Sequence, residues 1–439
     1  MNRNLENPYN TAVSQPRGLG ALFYAPAQPS FLFGAGETVE IHCLPLLRPL
    51  SVSWSLRRNL VDTPLRRGEA ALEVDNRVVI EIDPRDLGPG FYDLHAEIEL
   101  SRGRTETART TFGWRVDDEP LAFVEPPDFD AFWSGALAKA RAADLDLRIG
   151  ERRAFDADAI DRYNIEHADM PERYDPDGAV FGEVEARQID FAGSGGVRVH
   201  GWFAKPRGEG PFPGMLVYPG AGNAPRPAPL EHARHGYAAL DLQVHGQPVD
   251  LPRQSYPLAP EQGAWDIPEN GTHYHVVLRA LQAVDALTRL PGVDASRLCA
   301  VGGSQGGRLT IAACALDARL RAGIPAIAHF AYQPWLHWTE RLNERRDPGV
   351  AGFTAADAAR DDRERVESYF DTANFAARVR CPMRLAAGLI DRVSPPAAVW
   401  AAYRQISGPK EIVALANLGH DWSIAFDRDS WRWLGATLA

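Results

Sequence analysis

The residues best suited to chemistry surround one serine. Ser304 lies in a Gly-Gly-Ser-Gln-Gly run at positions 302–306, between an apolar stretch, Leu298–Val301, and a stretch with helical periodicity, Arg308–Leu316. A sharp strand-to-helix turn needs such small neighbours. It presents the hydroxyl above the sheet, beside the free N–H groups of a helix N-terminus. The pattern predicts a nucleophilic serine. The alternative is a glycine-rich turn in which the serine is idle.

A nucleophilic serine needs a general base, and the base needs a carboxylate that orients it. In this strand–serine–helix arrangement the chain order is serine, acid, histidine. The histidines that follow the serine are His329, His337 and His420. The first two lie in an aromatic stretch and are interpreted as packing or pocket residues. Because His420 follows a predicted strand, Glu411–Ala416, it is the predicted base.

The predicted acid is Asp391, at the end of the predicted strand Met383–Ile390. Open α/β sheets place their ligands beyond the carboxyl ends of the strands, where both Asp391 and His420 fall. Asp371 and Asp317 are the competing acids, but neither ends a predicted strand. The sequence therefore predicts a triad of Ser304, His420 and Asp391.

An oxyanion hole needs two backbone donors aimed at the tetrahedral intermediate. One is expected from the N–H of Gln305, directly after the nucleophile. The other is expected from the loop at positions 219–222, after the predicted strand Pro213–Tyr218. Pro219 has no N–H, so Ala221 or its neighbour is the predicted donor.

A metal site or a nucleotide cofactor is not expected. Five of the histidines that precede the serine could suggest a metal site: His232, His235, His245, His273 and His275. No HExxH motif and no carboxylate at ligand spacing accompanies them, so they are interpreted as solvated or packing residues. The chain also lacks a GxGxxG run after a strand and a Walker loop. We therefore expect neither a metal nor a cofactor.

The elements that must position these residues alternate between apolar strands and helices from Gln188 onward. This alternation is typical of an α/β fold whose parallel sheet is covered on both faces. Strands are predicted at Val197–Phe203, Pro213–Tyr218, Tyr237–Leu242, Leu298–Val301, Met383–Ile390 and Glu411–Ala416. Helices are predicted at Phe129–Leu145, Tyr274–Leu290 and Arg308–Leu316.

Residues 30–117 have a different, all-β character. Short alternating runs recur about every ten residues, with glycine and proline turns between them, as in a small immunoglobulin-like sandwich. The predicted strands are Thr38–Cys43, Leu50–Leu56, Arg77–Ile82, Gly90–Leu100 and Thr105–Val116. A packing or interaction module is favoured over carbohydrate binding, with Trp54 and Trp114 in the core. The acidic stretch at 117–120 is predicted to be a linker, so the predicted domains are 30–117 and 119–439.

Composition excludes several classes of protein. The 439 residues carry 47 Lys+Arg against 58 Asp+Glu, a net charge of −11. An acidic chain lacks the basic surface that nucleic acid or an anionic membrane requires. Four cysteines are too few for a disulfide framework. No continuous apolar segment indicates a signal peptide or membrane span. A cytoplasmic protein is expected, or a secreted or periplasmic one if a signal was removed.

Residues 119–439 resemble the acetyl xylan esterase and cephalosporin C deacetylase family, the seventh carbohydrate esterase family. The resemblance is carried by Val-His-Gly-Trp at 199–202, Gly-Gly-Ser-Gln-Gly-Gly at 302–307, Gly-Leu-Ile-Asp at 388–391 and Gly-His at 419–420. It implies an α/β-hydrolase fold, with Ser304, Asp391 and His420 as the triad. It also implies removal of acetyl groups from small acetylated sugars and related esters. A homo-oligomer with active sites facing an interior space is implied as well.

Three positions depart from the family pattern. The Arg-Gly-Gln motif begins with His245, Asp421 replaces a glutamate, and Ala221 replaces the tyrosine of the oxyanion loop. The first two changes predict rebuilt surroundings for the triad loops. The third keeps the backbone donor but removes a side chain that would wall the acyl pocket, so an acyl group larger than acetyl is an open alternative.

The sequence thus predicts a serine carboxylesterase acting on acetylated carbohydrates. A first alternative is an acyl-CoA thioesterase or acyltransferase, since some of these also join a β-sandwich to an α/β-hydrolase. A second is a non-catalytic binding module that retains the fold. The intact set of Ser304, Asp391 and His420 argues against the second.

Overall fold

The structure is a computed structural model that describes residues 21–73, 75–167, 178–222, 226–250, 267–354, 357 and 362–439. Its N-terminal part is a β-rich region. Its strands are β1 (Ala21–Tyr24), β2 (Leu32–Phe33), β3 (Val39–Pro45), β4 (Ser51–Arg58), β5 (Arg66–Ala70), β6 (Val78–Ile82), β7 (Gly90–Leu100) and β8 (Arg104–Trp114). They form two sheets, with orders β1-β3-β6 and β2-β8-β7-β4-β5. Along β7, Leu94, Ala96 and Ile98 are buried while Glu97 and Glu99 are exposed, so apolar alternation selects the inner face.

Alternation predicts the long strands of this region better than the short ones. The observed bounds of β7 equal the predicted ones, and β3, β4, β6 and β8 differ from theirs by a few residues. The structure adds β1, which starts at Ala21, before the predicted start of the domain at residue 30. It also adds β2 and β5, which are short or polar on both faces and so carry no periodic signal. Trp114 is buried, and Trp54 is partly buried over Gly68.

A ten-stranded sheet forms the second part of the chain. Its strands are β9 (Arg148–Ile149), β10 (Arg153–Asp156), β11 (Glu183–Gly193), β12 (Val197–Pro206), β13 (Phe212–Tyr218), β14 (Ala238–Gln243), β15 (Val293–Gly303), β16 (Leu320–Ala326), β17 (Met383–Gly388) and β18 (Lys410–Leu415). The order is β10-β11-β12-β14-β13-β15-β16-β17-β18, with β9 paired to β11. Pairing is parallel from β14 to β18.

Helices cover this sheet. They are α1 (Phe129–Ala142), α2 (Ala157–His167), α3 (Leu230–Arg234), α4 (Thr272–Leu287), α5 (Gln305–Leu316), α6 (Gln333–Arg345), α7 (Asp362–Glu367), α8 (Thr372–Ala376), α9 (Pro396–Gln405) and α10 (Ile424–Thr437). Every residue of β14 is buried, as expected for a strand covered on both faces. The α/β fold class is therefore confirmed.

Two observed strand ends change how the site is positioned. β16 was not predicted, and it places His329 only three residues beyond a strand of the parallel sheet. β17 ends at Gly388 rather than at Ile390, so Asp391 lies in the turn that follows the strand. Both residues therefore belong to loops at the carboxyl edge of the sheet.

The β-rich region packs directly on the rest of the chain. The buried side chain of Arg58 donates to the carbonyl of Gly349 at 3.0 Å and lies 3.9 Å from the carboxylate of Glu119. On α9, the Trp400 indole donates to Asp117 at 3.0 Å and meets the ring of Phe91 edge-on at 5.7 Å. The division into domains at 30–117 and 119–439 stays a prediction.

This junction predicts a pH-dependent contribution to stability from Glu119. Burial raises its pKa from 4.5 to about 7, against the opposing effects of Arg58 and Arg404. The folded state then binds the proton more tightly than the unfolded state, so stability from this group is lost as pH rises from 4.5 towards 7. Glu119→Gln should gain unfolding free energy relative to wild type between pH 5 and pH 8, by up to about 3 kcal/mol.

Chemical denaturation at the two pH values measures this difference. Asp118→Asn, at an exposed neighbouring carboxylate, is the matched control and should show no comparable pH-dependent gain. An equal difference between Glu119→Gln and wild type at both pH values would contradict the prediction.

Candidate active site

Ser304 occupies a strained turn between β15 and α5. Its backbone has φ 57° and ψ −120°, outside the regions that non-glycine residues prefer. The glycines on either side allow this turn. A Cβ on Gly302 would lie 2.7 Å from the carbonyl carbon of Gly306, and a Cβ on Gly306 would lie 2.3 Å from the carbonyl oxygen of Tyr218. The glycine spacing is therefore a steric requirement of the turn.

The structure brings the three predicted triad residues together. His420 Nε2 lies 2.9 Å from Ser304 Oγ, and His420 Nδ1 lies 2.8 Å from Asp391 Oδ2. A carboxylate accepts only, so Nδ1 carries the proton and Nε2 is left to accept the serine hydroxyl. The Asp391 side chain is 0% exposed and that of His420 is 27% exposed. This arrangement can deprotonate the serine at the edge of solvent.

Backbone donors hold the acid in its turn. The second carboxylate oxygen, Asp391 Oδ1, accepts from the N–H of Val393 at 2.7 Å and from that of Ser394 at 2.9 Å. These bonds compensate the buried carboxylate for the loss of water. They also leave Oδ2 aimed at His420.

His329 connects the serine turn to the acid turn. Its backbone N–H donates to the carbonyl of Ser304 at 3.1 Å, and its Nδ1 contacts the carbonyl of Val393 at 3.2 Å. Burial, with a smaller effect from the Arg308 cation, lowers the pKa of His329 to about 4. His329 is therefore neutral near pH 7. It packs between the two turns, and its sequence context predicts a packing or pocket residue.

The side chain of Gln305 connects the two predicted halves of the oxyanion hole. Gln305 is the first residue of α5, and its amide donates to the carbonyl of Gly220 at 3.3 Å, next to the exposed Ala221. The same amide lies 3.1 Å from His245 Nε2. Burial, followed by the Arg279 cation, lowers the pKa of His245 to about 4. His245, at the first departure from the family motif, is thus a neutral acceptor.

A buried cation, Arg308, lies one helical turn beyond the serine. It is 2% exposed, donates to His273 Nδ1 at 2.6 Å and stacks over the Phe330 ring at 5.5 Å. It forms no ion pair with a carboxylate in the described part of the chain. Burial lowers its pKa to about 10, so it stays charged near pH 7. Its charge helps keep His245, His273 and His329 neutral.

Sequence reasoning missed this buried support. An arginine in an otherwise apolar helical stretch reads as an ordinary helix residue, and the contact between Gln305 and His245 joins positions sixty residues apart. The structure also shows the second departure, Asp421, accepting from the N–H of Trp422 at 2.8 Å. A Cβ on Gly303 would lie only 2.5 Å from the nearest carbon of the Trp422 ring. The loop of His420 is thereby packed onto the serine turn.

The competing candidates lie elsewhere. Asp371 caps α8 and accepts from three backbone N–H groups, and burial raises its pKa to about 6. Asp317 pairs with Arg141 and Arg319. His337 pairs with Glu367 at 2.5 Å. Neither acid contacts His420, so the structure brings neither into the triad.

The remaining predicted histidines pack against other side chains. His232 and His235 contact the Trp431 ring, and His275 contacts Ser194 Oγ at 3.0 Å. Across the described ranges, no group of three or more His, Cys, Asp or Glu side chains is placed to hold a metal ion. None of the described helices has both the length and the apolar character needed to cross a membrane.

Comparisons of sequence and of structure both find acetyl esterases and acetyl xylan esterases among the proteins similar to this chain. The sequence model of the acetyl xylan esterase family matches residues 165–436. Acetyl esterase Axe7A of Xylanibacter ruminicola is 26% identical over 403 residues, covering 88% of this chain and 83% of that protein.

Two solved structures are similar. The acetyl xylan esterase from Paenibacillus sp. R4 has 26% identity and a TM-score of 0.54, over 73% of this chain and 97% of that one. Acetyl xylan esterase 1 from Thermoanaerobacterium sp. JW/SL YS485 has 22% identity and a TM-score of 0.55, over 72% and 95%, and supports the fold.

The packing of the serine turn yields a prediction for Gly306→Ala. The added Cβ must displace either Ser304 or the Tyr218 backbone, because no flexible side chain stands in its way. A displacement of about 1 Å should slow labelling of Ser304 by an organophosphate by roughly 100-fold. Measured labelling rates, with the melting temperature of each variant, test this expectation.

Gly435→Ala is the matched control. Gly435 lies in α10, with nothing within 4 Å of an added Cβ. That variant should label at the wild-type rate and gain about 0.5–1 kcal/mol of stability. Equal labelling rates for Gly306→Ala and Gly435→Ala would refute the steric argument.

Proposed function

The chain belongs to the acetyl xylan esterase family, a family of carboxylic ester hydrolases, and from this premise we propose that it deacetylates small acetylated carbohydrates through Ser304, His420 and Asp391. The single observation that carries the proposal is the chain of two hydrogen bonds, 2.9 Å and 2.8 Å, linking these side chains. A non-catalytic module has no need for a buried carboxylate aligned with a histidine and a strained serine.

The proposed mechanism begins with proton transfer. His420 Nε2 takes the proton of Ser304 as Oγ attacks the ester carbonyl, and Asp391 stabilises the imidazolium that forms. His420 then gives the proton to the leaving alcohol, which leaves an acetyl-enzyme. Water attacks the acetyl-enzyme with His420 again as base. The products are acetate and free serine.

Stabilisation of the oxyanion is assigned to two backbone N–H groups, those of Gln305 and Ala221. The Gln305 side chain, through its bond to the Gly220 carbonyl, holds the loop that carries the second donor. The helix α5 adds the positive end of its dipole at Gln305, and the Arg308 cation lies one turn further on. These fixed charges favour the negative intermediate over the neutral ester.

The thioesterase alternative is not favoured, because the comparisons find acetyl esterases. Hydrolysis of acetylated xylo-oligosaccharides and of acetyl-CoA, compared at equal concentration, distinguishes the two functions. We expect release of acetate from the sugar and little turnover of the thioester. Preference for acetyl-CoA would overturn the proposed substrate class.

Ser304→Ala tests the proposed mechanism. Without the nucleophile, kcat for a chromogenic acetate ester should fall by at least roughly 10⁴-fold while the fold is retained. Ser296→Ala, at an exposed serine remote from the triad, should keep wild-type activity. Initial rates and circular dichroism provide the measurement. Retained turnover in Ser304→Ala would exclude the serine mechanism.

Acyl specificity is expected to depend on Ala221. Its small side chain leaves space for a larger acyl group beside the proposed oxyanion loop. We therefore expect kcat/KM to fall only gradually from acetate to propionate to butyrate. Ala221→Tyr should steepen that fall by roughly tenfold, since a bulky ring disfavours each added methylene. Initial rates with the three p-nitrophenyl esters measure the slope. Identical slopes for the two proteins would contradict the role of Ala221.

We also propose that the chain forms a homo-oligomer, as the family resemblance implies. Light scattering coupled to size-exclusion chromatography measures the mass of the particle. A mass of 48.3 kDa, that of one chain, would reject this proposal without affecting the proposed chemistry.

A further inference from the structure

The β-rich N-terminal region reaches the turn that carries the acid. Arg109 lies on β8, and its guanidinium donates to the carbonyl of Ile390 at 2.9 Å. Ile390 directly precedes Asp391. The region described above only as a packing unit therefore places a charged donor one peptide bond from the triad.

Arg109 is itself fixed within the β-rich region. It stands opposite His95 on the neighbouring strand β7, and the buried carboxylate of Asp93 attracts it electrostatically. Asp93 in turn accepts from Asn59 at 2.8 Å and from Thr111 at 2.7 Å. The planar guanidinium is pre-organised, so it loses little conformational freedom when it donates a hydrogen bond.

The bond to Ile390 acts on the peptide group that sets the direction of Asp391. The carbonyl of residue 390 and the N–H of residue 391 share one plane. A rotation of this plane turns the Asp391 carboxylate away from His420 Nδ1. The N–H groups of Val393 and Ser394 fix Oδ1 from the far side of the turn. Arg109, on the β-rich region, holds the carbonyl of Ile390 on the other side of Asp391.

The far end of the same turn is also held from the N-terminal side. Helix α9 starts five residues after the acid, and its Trp400 contacts Phe91 of β7 and donates to Asp117. Three contacts at two positions, Ile390 and Trp400, thus join this segment to the β-rich region.

We propose that Arg109 is a positioning residue of the esterase, and that the β-rich region holds the triad acid in register with His420 through it. This inference rests on the proposed triad. Its effect should appear in the chemical step rather than in substrate binding, because Arg109 donates to the backbone behind Asp391 and not to the substrate side of the serine.

Arg109→Met tests the proposal, because methionine keeps much of the apolar stem but has no donor. We expect kcat for a chromogenic acetate ester to fall about tenfold, with KM within about twofold of wild type. Arg109→Lys retains a cationic donor and should recover most of the lost kcat. If Arg109→Met does not fold, Arg109→Gln, whose shorter side chain falls short of the Ile390 carbonyl, is judged by the same criteria.

Asn343→Ala is the matched control for a general loosening of the junction. Asn343 donates to the carbonyl of Leu60 at 2.9 Å and accepts from the N–H of Asp62 at 2.7 Å, away from the acid turn. It should lower the melting temperature and leave kcat unchanged. Wild-type kcat in Arg109→Met, or an equal loss in Asn343→Ala, would overturn the positioning role.

Ser304→Ala, assayed in parallel, separates this inference from the proposed function. Activity retained in Ser304→Ala defeats the triad itself. An inactive Ser304→Ala together with a fully active Arg109→Met defeats only the role of Arg109.

Discussion

The close backbone approach between the serine turn and β13 is the constraint on which the site depends. A Cβ on Gly306 would lie 2.3 Å from the Tyr218 carbonyl, so α5 can start where it does only because that side chain is absent. Tyr218 pairs with Gly302 in the parallel register of β13 and β15. The same register brings the loop after β13 beside Ser304, so one steric fit places both the proposed nucleophile and the proposed oxyanion donors.

The other half of the proposed triad depends on a second pair of neighbouring strands. β17 and β18 run parallel, with Gly388 opposite Leu415, and the acid and the histidine leave the sheet from those two ends. Loops then close the gap to the serine. His329 joins the serine turn to the acid turn, and the Trp422 ring packs the histidine loop onto Gly303. Contacts between loops thus hold the serine turn against both the acid turn and the histidine loop.

Sequence patterns are sufficient for features that are local along the chain. Alternating apolar residues predict β7 to its ends. The glycine spacing around Ser304 predicts the turn because the pattern itself spans only five residues, although Gly306 is also required by the distant Tyr218 carbonyl. Contacts between distant positions leave no such signal. The amide of Gln305 meeting His245, and Arg109 meeting Ile390, depend on how sheets and loops are placed in space. β5 and β16 were missed because neither sequence alternates between apolar and polar residues as a half-exposed strand does.

The burial of Arg308 has a consequence for how the site responds to its medium. Mobile ions screen exposed charges within about 10 Å at 0.1 M salt, but they cannot surround a guanidinium that is 2% exposed. The exposed acidic residues contribute to the net charge of −11, and their electrostatic field weakens as ionic strength rises. The buried charge of Arg308 is screened much less. Its contribution to the site should therefore change less with salinity than the contributions of the exposed acidic residues do.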